Sequence, residues 1–125
     1  MVHTKQDKLF SGLLAPANIV DLDRLAAGLQ VLGSLDPQAL PLHHAQVFVF
    51  VATQGRSVKY KEIEDHFGIT NASVSRTINS LGETSGHRKQ PLGLVVSYPD
   101  PEDGRRLRVR LTKKGEQLLR TLQSL

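Results

Sequence analysis

The sequence predicts one mainly α-helical domain with a small β-hairpin near its end. Through most of the chain, apolar residues recur at the spacing of three and four that is typical of helices. The period then changes to an alternation of apolar and charged residues on both sides of a turn rich in Pro, Asp and Gly, which indicates a hairpin. A length of 125 residues suits a single domain with one hydrophobic core.

The composition is that of an ordinary globular protein, with 39% hydrophobic and 22% charged residues. The chain has no Cys, which excludes disulfides and thiolate metal sites and fits a reducing compartment. Because no apolar run approaches the roughly 20 residues of a membrane helix, we expect no membrane contact and a cytoplasmic location. Residues 55–125 hold thirteen Lys and Arg against eight Asp and Glu, and residues 1–54 hold three against four. An anionic partner is therefore expected to bind the second half.

The first third of the chain is predicted to contain an arm and a helix. Residues 1–17 show no period and are expected to be flexible, ahead of one folded domain over 18–125. Asn18 can cap a helix over 18–33, with Asp21 in its first turn. This helix carries one apolar stripe, formed by Leu22, Leu25, Ala26, Leu29 and Leu32. We consider it a possible dimerisation helix.

The next stretch, QVFVFVATQG at residues 46–55, is ambiguous. Its β-branched and aromatic residues favour a strand from Val47 to Val51. Its nearly continuous apolarity also suits a helix buried on most sides. The apolar residues that fit helical spacing are Leu42, Ala45, Phe48, Val49 and Ala52. We interpret the stretch as a helix that ends at Gly55.

Residues 59–82 have the pattern of a helix-turn-helix. A short helical stripe of Tyr60, Ile63 and Phe67 comes first. Gly68 supplies a permissive turn, and Thr70 is a good N-cap for the second helix.

The second of these helices has an unusual outward face. On a wheel of about 100° per residue, Val74, Ile78 and Leu81 face the core. The opposite face carries short polar side chains and one long cation, which are the types that can contact base edges in a DNA major groove. The candidate DNA-binding residues here are Thr70, Asn71, Ala72, Ser73, Ser75, Arg76 and Asn79. For this helix alone, an ordinary solvated surface is an equal alternative.

Residues 92–112 read as the hairpin. Leu94 and Val96 are expected to alternate on one strand, and the second strand alternates apolar residues, Leu107, Val109 and Leu111, with Arg106, Arg108 and Arg110. Arg105 lies at the tip, where an arginine can enter a minor groove, and the arginine ladder can attract phosphates. A charged strand face that discourages edge pairing is the alternative. A hairpin after a helix-turn-helix is the order of a winged helix-turn-helix, and the hairpin is the wing.

The sequence contains no pattern that favours catalysis or metal binding. Asp103 can accept hydrogen bonds from turn amides and pair with Arg105 or Arg106, and thereby orient the wing. His43 and His44 are adjacent on a helix and make a poor metal pair, and the remaining histidines are scattered. We predict no catalytic residues, no metal, no cofactor and no enzymatic activity.

Two segments resemble the DNA-binding core of the MarR family of bacterial transcription regulators, and the match covers about residues 42–120. They are VKYKEIEDHFGITNASVSRTINSLGE and LVVSYPDPEDGRRLRVRLTKKGEQLL. The most specific part is the wing and the start of the last helix, consisting of Asp100-Pro101-Glu102-Asp103-Gly104-Arg105-Arg106, Leu111-Thr112 and Gly115. Ser75-Arg76 and Leu81 of the recognition helix are also typical.

The resemblance implies a homodimer that binds a pseudo-palindromic operator, most simply as a repressor. The recognition helix, 70–82, would enter the major groove, and Arg105 would reach the minor groove while Asp103 holds it. Many family members release DNA when a small aromatic or phenolic effector binds near the dimer interface. Segment 82–91 is longer than is usual for the family and resembles an insertion, whose Arg88 and Lys89 are candidate phosphate contacts. A protein-interaction module and a replication or recombination accessory protein of a mobile element are the alternative functions.

Overall fold

The computed structural model describes residues 20–35, 40–82 and 91–125. These residues form five helices and three strands. In chain order the elements are α1 Leu22–Gly33, α2 Leu42–Thr53, β1 Val58–Lys59, α3 Tyr60–Phe67, α4 Asn71–Leu81, β2 Val95–Pro99, β3 Leu107–Leu111 and α5 Lys113–Gln123. The predicted arm over 1–17 and the predicted contacts of Arg88 and Lys89 lie outside the described residues. Within the described residues, no helix is long and apolar enough to cross a membrane.

Helix α1 begins later than the sequence suggested. Asp21 is its N-cap, and Asp21 Oδ1 accepts hydrogen bonds from the amides of Asp23 and Arg24 at 3.0 and 3.2 Å. The prediction that Asn18 caps this helix was therefore wrong, because the carboxylate at Asp21 satisfies the first free amides. Leu32 is the buried residue of the helix.

Helix α2 resolves the ambiguity of the QVFVFVATQG stretch, and the helical interpretation is confirmed. Five of its twelve residues are buried, namely Ala45, Val47, Phe48, Val51 and Ala52. Burial on most sides outweighs the local preference of Val and Phe for strands. The predicted stripe is only partly right, because Leu42 and Val49 remain exposed.

The helix-turn-helix is confirmed, with α3 and α4 as its two helices. Gly68 ends α3 in the left-handed conformation, with φ 64° and ψ 39°, which glycine adopts without steric cost. Thr70 caps α4 and accepts a hydrogen bond from the Ser73 amide at 3.1 Å. The predicted core residues of α4 are each at most 1% exposed, and Thr77 is buried beside them.

The wing belongs to a three-stranded antiparallel sheet with the order β1-β3-β2. Strand β1 was missing from the prediction; its Val58 pairs with Val109. The alternation of Leu94 and Val96 was wrong, because β2 begins at Val95 and pairs it with Leu111. A shift of one residue exchanges the faces of a strand, so Val95 faces the core and Val96 faces away.

Two hydrogen bonds join the end of α4 to the residues just before β2. The amide of Gly93 donates to the carbonyl of Gly82 at 3.0 Å, and the amide of Leu94 donates to that of Leu81 at 2.9 Å. These bonds hold the C-terminal end of α4 against the base of the wing.

Candidate nucleic-acid interface

The outward face of α4 presents the side chains that the sequence singled out. Ala72, Arg76 and Asn79 are exposed, and Ser73 and Ser75 are half-buried at its margins. Asn71 is also exposed, but its Nδ2 donates to Glu64 Oε2 at 3.3 Å, which ties the start of α4 to α3. The face is therefore small, polar and almost free of long side chains, so the backbone of α4 can approach a partner closely.

The core keeps α4 in place in spite of its weak helix formers. Ser and Asn compete with the backbone for hydrogen bonds and lower the intrinsic stability of a helix. Val74, Ile78 and Leu81 are fully buried on the opposite face, and the hydroxyl of Thr70 closes the first turn. Because tertiary packing stabilises α4, its exposed face can carry residues of low helix propensity.

Asp103 links the two arginines at the tip of the wing. Its Oδ1 accepts from both the amide and Nε of Arg105 at 3.2 Å, and its Oδ2 lies 3.4 Å from Nε of Arg106. The Arg105 side chain is 92% exposed. The Asp103 carboxylate thus restrains the exposed side chain of Arg105 at the tip of the wing.

Arg108 has different surroundings from the other arginines of the predicted ladder. Its Nε donates to Asp100 Oδ2 at 3.1 Å, and its Nη1 donates to the hydroxyl of Ser57 at 3.0 Å. The side chains of Arg108 and Asp100 are 23% and 4% exposed. The ladder is therefore divided: Arg106 and Arg110 are exposed, whereas Arg108 joins the wing to the residues that precede β1.

Asp100 also organises the turn of the wing. Its Oδ1 accepts a hydrogen bond from the amide of Glu102 at 2.9 Å. That bond, with help from Arg108, lowers the pKa of Asp100 in spite of its burial. The carboxylate is thus held in its charged form, and Asp100 and Asp103 both have structural roles in the wing.

A second ion pair supports the start of α3. Arg56 binds Glu62 through two hydrogen bonds of 2.7 and 3.1 Å, and Glu62 Oε2 also accepts from the Lys59 amide at 2.7 Å. The hydrogen bond with Arg56 is the main cause that lowers the pKa of Glu62. The pair fixes the first turn of the helix-turn-helix to the chain before it.

An apolar surface lies on α1, with Val20 just before it, and on α2. Its exposed large residues are Val20, Leu22, Leu25, Leu29, Leu42 and Val49, with exposed fractions between 40% and 71%. A cleft of about 820 Å³ opens beside them, lined mainly by apolar residues of α1, α2 and α5. The stripe predicted for α1 exists, but most of it faces away from the core of this chain.

No metal centre is found within the described residues, because no three His, Cys, Asp or Glu side chains group closely enough there.

The geometry is that of known winged helix-turn-helix regulators. An S. aureus MepR variant is 18% identical, over 98% of this chain and 76% of that chain, with a TM-score of 0.64. A MarR variant from E. coli complexed with operator DNA is 17% identical over 94% and 77%, with a TM-score of 0.57. A MarR-family transcriptional regulator from Rhodococcus is 18% identical over 98% and 77%, with a TM-score of 0.55.

No family model matches the chain, and no curated protein matches it either. At the identities found, the structural likeness establishes the fold. The chain therefore has the winged helix-turn-helix fold of MarR-family regulators, as its sequence predicted.

Proposed function

We propose that the protein is a MarR-type transcription regulator that binds double-stranded DNA sequence-specifically, most simply as a repressor. The observation that carries this proposal is the combination of a short-chained polar face on α4 with an arginine at the tip of the wing. Either feature alone has an ordinary structural explanation. Together they supply base contacts and phosphate attraction on one side of the molecule.

Helix α4 is proposed to enter the major groove. Arg76 can donate to N7 and O6 of a guanine, and Asn79 can pair with an adenine. The methyl group of Ala72 can contact a thymine methyl. Thr70, Asn71, Ser73 and Ser75 would contribute phosphate or base-edge contacts near the start of the helix.

The wing is proposed to reach the neighbouring minor groove through Arg105. A narrow, AT-rich minor groove has an enhanced negative potential that attracts an arginine. Asp103 would orient this side chain before binding, so less conformational freedom is lost on association. Arg106 and Arg110 would add phosphate contacts. We assign Arg108 to holding the wing in place, because its guanidinium already binds Asp100 and Ser57.

The apolar surface on α1 and α2 supports a homodimer. Large exposed apolar patches are typical of protein–protein interaction sites. A second copy would cover the exposed leucines of both helices and place two α4 helices on one duplex. A cyclic dimer reads a two-fold symmetric site.

Selection from random-sequence duplexes, followed by sedimentation of the selected complex, tests this proposal. We expect a two-fold symmetric motif whose half-sites lie about one helical turn apart, bound by two copies of the chain. Failure to enrich any motif at low salt would refute the proposal and favour the protein-interaction module. A single unsymmetric site bound by one chain would refute the homodimer.

A further inference from the structure

A basic cleft separates the recognition helix from the wing, and no sequence pattern predicted it. The cleft has a volume of about 390 Å³. Its wall is formed by residues from β1, α3, the start of α4 and the wing, among them Lys59, Lys61, Glu64, Asn71, Arg105 and Arg106. Four of these side chains are cationic and one is anionic.

Three of the four cations in the cleft already have a carboxylate partner. Arg105 and Arg106 share Asp103, at 3.2 and 3.4 Å. Lys61 Nζ lies 3.1 Å from Asp65 Oδ1, and both side chains are more than half exposed. Exposed pairs of this type contribute little to stability. Lys61 can therefore exchange its carboxylate for another anion at small cost.

The position of the cleft indicates which anion it would take. In a duplex, the sugar-phosphate backbone separates the major groove from the minor groove. A protein that places α4 in one groove and its wing in the next must therefore straddle one backbone strand. The cleft lies between these two elements, with Asn71 at the start of α4 on one side and Arg105 on the other.

The start of α4 adds to the attraction. Helix α4 has eleven residues, and its first residue, Asn71, lines the cleft. The positive end of a helix dipole favours a phosphate. Tyr60, between the two lysines in the chain, is 3% exposed and anchors this part of the chain in the core.

We infer that this cleft binds a backbone phosphate of the DNA duplex, and that Lys59 and Lys61 are phosphate-binding residues. The inference rests on the proposed function and extends the DNA contacts to two residues outside α4 and the wing. It predicts contacts that raise affinity without reading sequence.

The test compares Lys59→Gln, Lys61→Gln and the double variant with wild type. Arg120→Gln removes the same charge from an exposed position in the last turn of α5, and serves as the matched control. Binding to the selected motif and to a random duplex is measured over a range of salt concentrations, and circular dichroism checks that each variant is folded.

We expect the slope of log K against log salt to flatten by about 0.9 for each lost phosphate contact, on both duplexes. The ratio of affinities for the motif and the random duplex should stay unchanged, and Arg120→Gln should keep the wild-type slope. A motif duplex with one neutral methylphosphonate between the two grooves locates the contact. It should weaken wild type and have little further effect on the double variant.

Wild-type slopes in the lysine variants, with the motif still bound, would overturn the assignment of the cleft and leave the proposed function standing. An equal methylphosphonate effect in wild type and the double variant would overturn it in the same way. If wild type itself bound no motif, the proposed function and the inference would both fall.

Discussion

Gly115 offers a stringent prediction, because a methyl group there would collide with the base of the wing. A Cβ atom on Gly115 would overlap the carbonyl oxygen of Leu94 and lie 3.1 Å from its carbonyl carbon. It would also lie 3.3 Å from Cβ of Leu111. Two of these three atoms are backbone, so neither can move away by a change of rotamer.

The size of the effect follows from two opposing contributions. Ala is more favourable than Gly in a helix by about 0.5–1 kcal/mol. Overpacking of a tight contact typically costs about 1–3 kcal/mol. Because the overlap is with backbone atoms, we take the upper end of that cost, about 3 kcal/mol, and expect Gly115→Ala to lower the free energy of unfolding by about 2–2.5 kcal/mol, the reverse of the usual effect in a helix.

Gly28→Ala is the matched control. Among the described residues, a Cβ there would meet the side chains of Leu122 and Leu125, each at the ordinary distance of 3.8 Å. We expect it to raise the free energy of unfolding by about 0.5–1 kcal/mol. Urea unfolding followed by circular dichroism measures both variants, at one protein concentration because association contributes to apparent stability. If Gly115→Ala were as stable as wild type, the close approach of α5 to the wing would be refuted.

Three further predictions concern the dimer, the wing and the effect of acid. Leu29→Glu places a charge on the exposed apolar surface, so sedimentation should show a monomer with an unchanged circular dichroism spectrum; a persisting dimer would contradict the assigned interface. Arg108→Gln should weaken binding to the selected motif yet keep the salt slope of wild type, whereas a slope flattened by about 0.9 would make Arg108 a phosphate contact. Since the pKa of Glu62 is lowered from its ordinary 4.5, its charge stabilises the fold above that pH, and the stabilisation is lost as the pH falls through the lowered value. Glu62→Gln should therefore reduce the loss of stability on acidification below about pH 4.5, measured by urea unfolding; an unchanged acid dependence would show that Arg56 does not stabilise the carboxylate.

Local sequence patterns predicted the helix-turn-helix well, because each of its signals acts within a few residues. Gly68 is needed where the chain turns with positive φ, and Thr70 caps the helix that starts at the next residue. The apolar spacing of α4 then defines its outward face. The same reasoning could not find β1, since two residues have no period and pair only after β3 folds against them.

The role of Arg108 could not be predicted from the sequence either. Alternation placed it on the charged face of the wing, but its partners come from distant positions. Asp100 is eight residues away and Ser57 is fifty-one residues away in the chain. Only the register of the sheet and the packing of the β1 segment bring them together. The sequence did not single out Lys59 and Lys61 for the same reason, because the cleft forms only where β1, α3, α4 and the wing come together.

Whether the apolar stripe in α1 is buried could not be predicted from the sequence either. Spacing at three and four predicts that a face is apolar, without saying what covers it. In the structure Leu32 meets the core, whereas Leu25 and Leu29 stay about half exposed, at 48% and 47%. Apolar spacing in α1 thus predicted an apolar face, but not that four of its five residues are exposed.

Replacement of Arg76 tests most directly whether α4 contacts base edges. Affinities of wild type and Arg76→Ala are measured on the selected motif and on a panel in which each base pair is changed in turn. We predict that the variant loses about 1–3 kcal/mol on the motif and no longer distinguishes the bases at one position of each half-site. Equal discrimination by both proteins at every position would contradict the claim.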